Sequence, residues 1–305
     1  MKAKYKNSPT WVKFFQWLGV MALLTIVAMS IWLAIPGDHN STPALKWFQF
    51  VQTIGTFLLP PIVCMWLWGE EFPKLRIQSS NGFRGWVYLY AVGLMVIAMP
   101  GINLLADWNS RIVLPDSLAG LEAWMKEQEQ ALAVLTERFL SGTDLGTLLV
   151  NIGLIALLPA LAEELTFRGV LQGLIAKPTL STASNSQKTH IAVWVAAFIF
   201  SAIHMQFYGF IPRLLLGALF GYALLWTGTL WIPIIMHFTN NLIAVITYWW
   251  MYRRGLDPNS INSLGTAETE WLGWVSILLT AVGIYFFWRR SRQISSASSR
   301  MSDGN

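Results

Sequence analysis

Apolar runs of about twenty residues, repeated along the whole chain, limit what this sequence can fold into more than any other feature. A helix needs roughly 20 mostly apolar residues to cross a bilayer. Such runs lie near 14–35, 47–68, 86–106, 146–176, 190–208, 211–227, 229–250 and 271–288, the one at 211–227 being short. Backbone N–H and C=O groups must be paired internally in lipid, so runs of this length read as helices. The expected fold is all-α: a polytopic membrane protein of about eight transmembrane helices plus one amphipathic surface helix. Composition agrees, with 54% hydrophobic and 12% charged residues against roughly 25% charged in soluble domains. The single Cys64 excludes an intrachain disulfide and a cysteine-rich metal site. The first run is too long for a signal peptide and lacks a small-residue cleavage site, so it reads as retained.

The formal charge of +5 sits mostly in the two tails. It points to membrane orientation and not to nucleic acid. Lys2, Lys4, Lys6 and Lys13 mark the N-terminus; Lys74, Arg76 and Arg84 the second connection; Lys177 and Lys188 the fourth; Arg289, Arg290, Arg292 and Arg300 the C-terminus. With eight spans all four fall on one side, expected to be cytoplasmic, in a bacterial cytoplasmic membrane. Arg253 and Arg254 conflict with this, since they follow the seventh span on the outer side. In the long acidic third connection Leu118, Leu121, Met125, Leu132, Leu135 and Phe139 recur at helical spacing. They predict an amphipathic helix on the outer membrane surface, with Asp116 as its cap. The chain divides into N-terminal spans and acidic connection (1–144), a core of four spans (145–250), an outer loop with the last span (251–290) and a disordered tail (291–305). No internal repeat is evident.

Ionisable groups inside spans are costly, roughly 2.5–3.5 kcal/mol each on insertion scales, and face a cavity or a partner. "LPALAEELTFRGVLQGL" carries Glu163, Glu164 and Arg168. Glu164 and Arg168 are four apart and share a helical face, so they can pair. Glu163 points away from that partner, which leaves Glu164 to brace and Glu163 to act. "FIFSAIHMQF" brings His204 into an apolar span, where a histidine can equally be a packing residue. "TGTLWIPIIMHFTNNLIAV" puts His237 and Asn241 on one face, with Pro233 placed to open the helix before them. An interhelical hydrogen-bond pair would also explain them. Gly217 and Gly221 form a GxxxG, a sign of close helix packing.

Depth links these groups. Glu163 precedes Lys177 by 14 residues, and His204 follows His190 by 14. At the α-helical rise each lies roughly 21 Å from the turn between them. Counted from the turn near Gly228, His237 and Asn241 lie roughly 12–20 Å deep. The helix that starts near Leu145 would be roughly 48 Å long, so it must tilt, kink near Pro159 or begin outside the membrane. A carboxylate and a histidine buried together can activate water as general base. A second histidine and an amide can donate to an oxyanion. Such a set suits hydrolysis of a carbonyl compound, most simply a peptide bond.

"EELTFRG" matches an EExxxR motif, "FSAIH" an FxxxH and "HFTNN" an HxxxN, in that order. Over about residues 145–250 the chain resembles the CPBP family of intramembrane proteases (CAAX-protease and bacteriocin-processing, or Abi), which includes prenyl-protein endopeptidases. Each motif alone is weak; three in order on separate spans are specific. The resemblance implies that Glu163 and His204 activate the water, that His237 and Asn241 form the oxyanion site, and that Glu164 and Arg168 brace the first motif. Family members have been described as metalloproteases and as glutamic proteases. The sequence has no HExxH, and no cofactor is expected; Glu163, His204 and His237 are the alternative ligands of a divalent metal such as zinc. The expected substrate is a membrane protein or lipidated peptide in the bilayer, with no nucleic acid. The alternative is a non-proteolytic transporter or scaffold that uses the buried Glu, His and Asn for ligand or proton binding.

Overall fold

The computed structural model describes residues 4–72, 85–177, 184–257, 260 and 263–302. They form helices α1 (Thr10–Leu33), α2 (Thr42–Trp68), α3 (Trp86–Ser110), α4 (Ala119–Leu140), α5 (Leu145–Ala176), α6 (Asn185–Ala202), α7 (Phe210–Thr227), α8 (Trp231–Arg254) and α9 (Glu270–Ser302). No strand occurs among the described residues. α9 runs into the tail expected to be disordered, and Lys74, Arg76 and Arg84 lie outside the described residues.

Among the described residues, seven helices are long and apolar enough to cross a membrane, one fewer than expected. The short run at 211–227 is among them; the run at 190–208 is not. α6 opens with the polar stretch "NSQKTH", under a capping box between Ser184 and Gln187, and ends at Ala202. The chain then turns back through Met205, whose φ is +54°. His204 therefore sits in the turn after α6, not within a span. α6 is the short eighth element of the bundle.

Direction along the bundle follows from the contacts. Lys13 at the start of α1 and Lys177 at the end of α5 both donate to Glu70, just past α2, at 2.6 and 2.8 Å. Arg168 and Gln172 on α5 reach the carbonyls of Gly217 and Gly221 on α7, so the two helices run parallel. Thr227 thus shares the end that holds Lys177. Phe287 of α9 packs on Trp226 there, which brings Arg289 and Arg290 to the same end as Lys13.

The opposite end is crossed by α4. Glu129 accepts from the Tyr208 N–H (3.3 Å), Arg138 donates to the Asn40 carbonyl and Trp124 packs on Phe207. Asp116 makes no side-chain cap; Glu122 instead accepts from the Leu114 N–H at 3.0 Å. Of the expected apolar stripe, Leu118, just before this helix, and Leu121 stay exposed, whereas Phe139 is buried against the bundle. Arg253 and Arg254, the two out-of-place cations, lie over the rings of Trp249 and Trp250, a contact that favours cations at an interface.

Prolines shape three spanning helices. A proline has no N–H and clashes with the carbonyl four residues back, and a buried carbonyl without a donor is costly in lipid. After Pro100 in α3, Ser276 of α9 bridges the gap: its Oγ accepts from the Gly101 N–H (2.9 Å) and donates to the Ile97 carbonyl (2.5 Å). α2 and α5 instead widen into π-helical turns at Ile54–Leu58 and Ile152–Leu157, just before Pro60–Pro61 and Pro159. A second π turn in α5 covers Leu165–Leu171. The long fourth span is thus interrupted by two π turns, the first just before Pro159. Pro233 does not open α8: it lies in the first turn, where an N–H has no helical partner in any case.

Candidate active site

The site lies where α5, α6, α7 and α8 meet. Glu164 and Arg168 are both buried, and Arg168 Nη1 donates to Glu164 Oε1 at 2.7 Å. The expected pair forms even though a π turn begins between them. Arg168 Nη2 donates to the Gly217 carbonyl at 2.8 Å. The guanidinium plane lies over Phe200 (4.7 Å) and Phe220 (5.4 Å), which suits a weakly hydrated, planar cation.

Glu164 has a second partner that spacing could not show. His237 Nδ1 lies 2.9 Å from the same Oε1. A carboxylate already holding Arg168 is an acceptor, so Nδ1 carries the proton. The ring is clamped further by Phe220, stacked at 5.4 Å, and by the edge of Phe200 at 5.7 Å. His204 is held by a different device: its Nδ1 lies 2.7 Å from the Phe200 carbonyl. A carbonyl only accepts, so Nδ1 is again the donor and the Nε2 lone pair of neutral His204 is free.

Both Nε2 atoms face Glu163. Its Oε2 is 3.9 Å from His204 Nε2 and 3.9 Å from His237 Nε2. That oxygen is buried and has no hydrogen-bond partner among the described residues. His204 is the most open of the three, with 27% of its side chain exposed against 13% for Glu163 and 6% for His237. Asn241 is one turn beyond His237 on α8; its Nδ2 donates to the Ile155 carbonyl at 3.3 Å, and its Oδ1 accepts from Asn240 at 3.2 Å. The structure therefore brings Glu163, His204 and His237 to one point, braced by Glu164 and Arg168, with Asn241 bonded to the turn before Pro159.

Sequence reasoning missed Gln172, whose Nε2 donates to the Gly221 carbonyl at 3.2 Å. Its signal was present: Gln172 is four residues after Arg168, as Gly221 is four after Gly217. The glycine pair does pack closely, since a Cβ on Gly217 would stand 3.2 Å from the Ala197 Cα. It also bares two carbonyls for two donors on α5. Arg213 was missed as well; its Nη2 donates to Gln206 Oε1 at 2.6 Å, beside the turn that carries His204.

One carboxylate oxygen and two imidazole nitrogens are the donor types of a hydrolytic zinc site. Ligands about 2.05 Å from a tetrahedral zinc stand about 3.3 Å apart; the two Glu163–His separations are each 3.9 Å. No group of three or more His, Cys, Asp or Glu among the described residues is disposed to hold a metal ion. The set has the right atoms in too wide a spacing.

Residues 145–243, the segment that contains all six side chains, match the family model of type II CAAX prenyl endopeptidase Rce1-like proteins. The uncharacterized protein YpbD of Bacillus subtilis (strain 168) is 36% identical over 93 residues, covering 29% of this chain. The match spans about two fifths, 41%, of that relative's length. No solved structure matches the chain. The motif-bearing segment of this chain, residues 145–243, is thus similar to the Rce1-like type II CAAX prenyl endopeptidases.

Proposed function

We propose that the chain is an intramembrane endopeptidase in which Glu163 and His204 activate water against a peptide bond. The observation that carries this reading is the Glu163 oxygen facing two imidazole nitrogens at 3.9 Å each. A water about 2.8 Å from each atom bridges such a gap. Glu163 takes one proton as the remaining hydroxide attacks the carbonyl carbon, and His204 Nε2 orients the water by accepting its other hydrogen. The tetrahedral oxyanion faces His237, whose Nε2–H donates to it when the ring is an imidazolium. Glu163 then passes its proton to the leaving amine as the C–N bond breaks. The family resemblance would place Asn241 beside His237 as a second donor; its amide is on the Ile155 carbonyl.

The spacing of the three side chains favours water activation without a metal. Chelators are expected to leave turnover of the purified enzyme intact. Loss on chelation, restored by one metal, would move Glu163, His204 and His237 into a ligand role. The substrate we propose is a membrane protein or lipidated peptide that presents its scissile bond within the bilayer. The shared end of Lys13, Lys177, Arg289 and Arg290 supports both termini lying in the cytoplasm of a bacterial cell. Tag accessibility at the two termini tests this, and ends on opposite sides would refute it. A wild-type rate in Glu163→Gln would put the transporter or scaffold reading in front.

A further inference from the structure

Pro159 stands four residues before Glu163. In an α-helix the Ile155 carbonyl would accept from the N–H of residue 159, and proline has none. The chain around this carbonyl is the π turn Ile152–Leu157. Asn241, from α8, donates to it from Nδ2 at 3.3 Å. Asn240 fixes which way that amide faces, because its own Nδ2 donates to Asn241 Oδ1 at 3.2 Å.

A second, separate case shows the same device. The α-helical donor to the Phe57 carbonyl would be residue 61, another proline, and the chain there is the π turn Ile54–Leu58. Thr166, inside the "EELTFRG" stretch, donates to that carbonyl from Oγ1 at 2.6 Å. Twice, then, a carbonyl deprived of its α-helical donor is met by a side chain from a motif-bearing helix.

The position matters for Glu163. The helical segment Leu158–Glu164 lies between two π turns. One widened turn shifts the side chains that follow by about 100° relative to an unbroken α-helix. The turn at Ile152–Leu157 therefore sets which way Glu163 points, and Asn241 is the side chain bonded to it. We propose that Asn241 is a positioning residue: by donating to the Ile155 carbonyl it fixes this widened turn and so presents Glu163 to His204 and His237. The assignment rests on the peptidase reading above, and it differs from a direct contact with the oxyanion.

The test uses the full chain reconstituted in lipid and compares hydrolysis of a membrane-embedded peptide by wild type, Asn241→Ala, Pro159→Ala, the double variant and Glu163→Gln. Asn241→Ala is expected to lower kcat by on the order of 100-fold, as misplacement of a reacting group does. KM should hardly change, and the pH dependence of kcat should shift because Glu163 has moved relative to both imidazoles. In the Pro159→Ala chain the restored N–H can serve the Ile155 carbonyl. There the Asn241 substitution should cost only a small part of its original effect. An equal cost in both backgrounds would overturn the proposal and assign Asn241 to the oxyanion. Should Pro159→Ala fail to fold, hydrogen exchange decides: Asn241→Ala must speed exchange across residues 152–164, and unchanged exchange there refutes the proposal. Full activity in Glu163→Gln would instead remove the peptidase reading, an outcome distinct from either.

Discussion

Glu164 and Glu70 each hold two basic side chains, yet in opposite settings. Glu164 joins Arg168 and His237 in the middle of the bundle, and the Glu164 and Arg168 side chains are wholly buried. Glu70 joins Lys13 and Lys177 at one end, with 28% of its own side chain and 37% of that of Lys177 exposed. At the end of the bundle water reaches Glu70 and Lys177, and Lys13, whose side chain is only 6% exposed, keeps the Lys6 carbonyl at 2.9 Å, so the pairs are worth roughly 0–1 kcal/mol. In the interior nothing stands in, so the same chemistry becomes indispensable. The contrast separates a clasp that holds the first, second and fourth spans together from a brace that fixes the His237 imidazole.

Glu164→Gln breaks the interior side and should have the largest effect. Arg168 would be left buried without its anion, a change that costs about 3–5 kcal/mol. Reduced thermal stability in detergent, lower abundance and lost turnover are expected together. Normal stability with full turnover would make the two regions equivalent. Gly217→Leu attacks the same brace from α7: the new side chain meets the Ala197 backbone and Phe200 and moves the carbonyl that Arg168 holds. Overpacking of this kind costs about 1–3 kcal/mol, readable as a lowered midpoint of thermal unfolding.

Glu70→Gln should have the smallest effect, about 0–1 kcal/mol, and high salt should mask it. Its pH dependence has a definite sign. Burial pushes the Glu70 carboxyl up, but hydrogen bonds and charge from Lys13 and Lys177 outweigh this and hold it below the usual carboxylate range. The stabilisation is then present above an ordinary carboxylate pKa of about 4.3 and is lost as pH falls through the lower folded value. Stability that differs between wild type and Glu70→Gln near neutrality, and converges in acid, is the predicted result. A difference that grows in acid would contradict it.

Spacing made some of this legible and hid the rest. The Glu164–Arg168 pair follows from an i, i+4 interval that survived a π turn. Meeting of Glu163, His204 and His237 followed from depth counted along three spans, although His204 turned out to lie beyond the end of α6 because "NSQKTH" shortens the apolar run. The Asn241–Ile155 bond was not visible, since nothing local links a helix-interior proline to a side chain 82 residues later. The absent N–H of Pro159 was the available sign that some donor had to come. The second partner of Glu164 was equally hidden: His237 is 73 residues away and only packing brings it there.

The central claim is that Glu163 and His204 form one water-activating unit, and a double-variant cycle tests it most directly. Turnover of a fluorogenic membrane-embedded peptide is measured for Glu163→Gln, His204→Ala and both together, at matched abundance of folded protein. Groups that act as a unit are non-additive, so each single variant should nearly abolish hydrolysis and the double should be little worse than either. Independent, multiplying losses, or wild-type turnover in Glu163→Gln, would contradict the account.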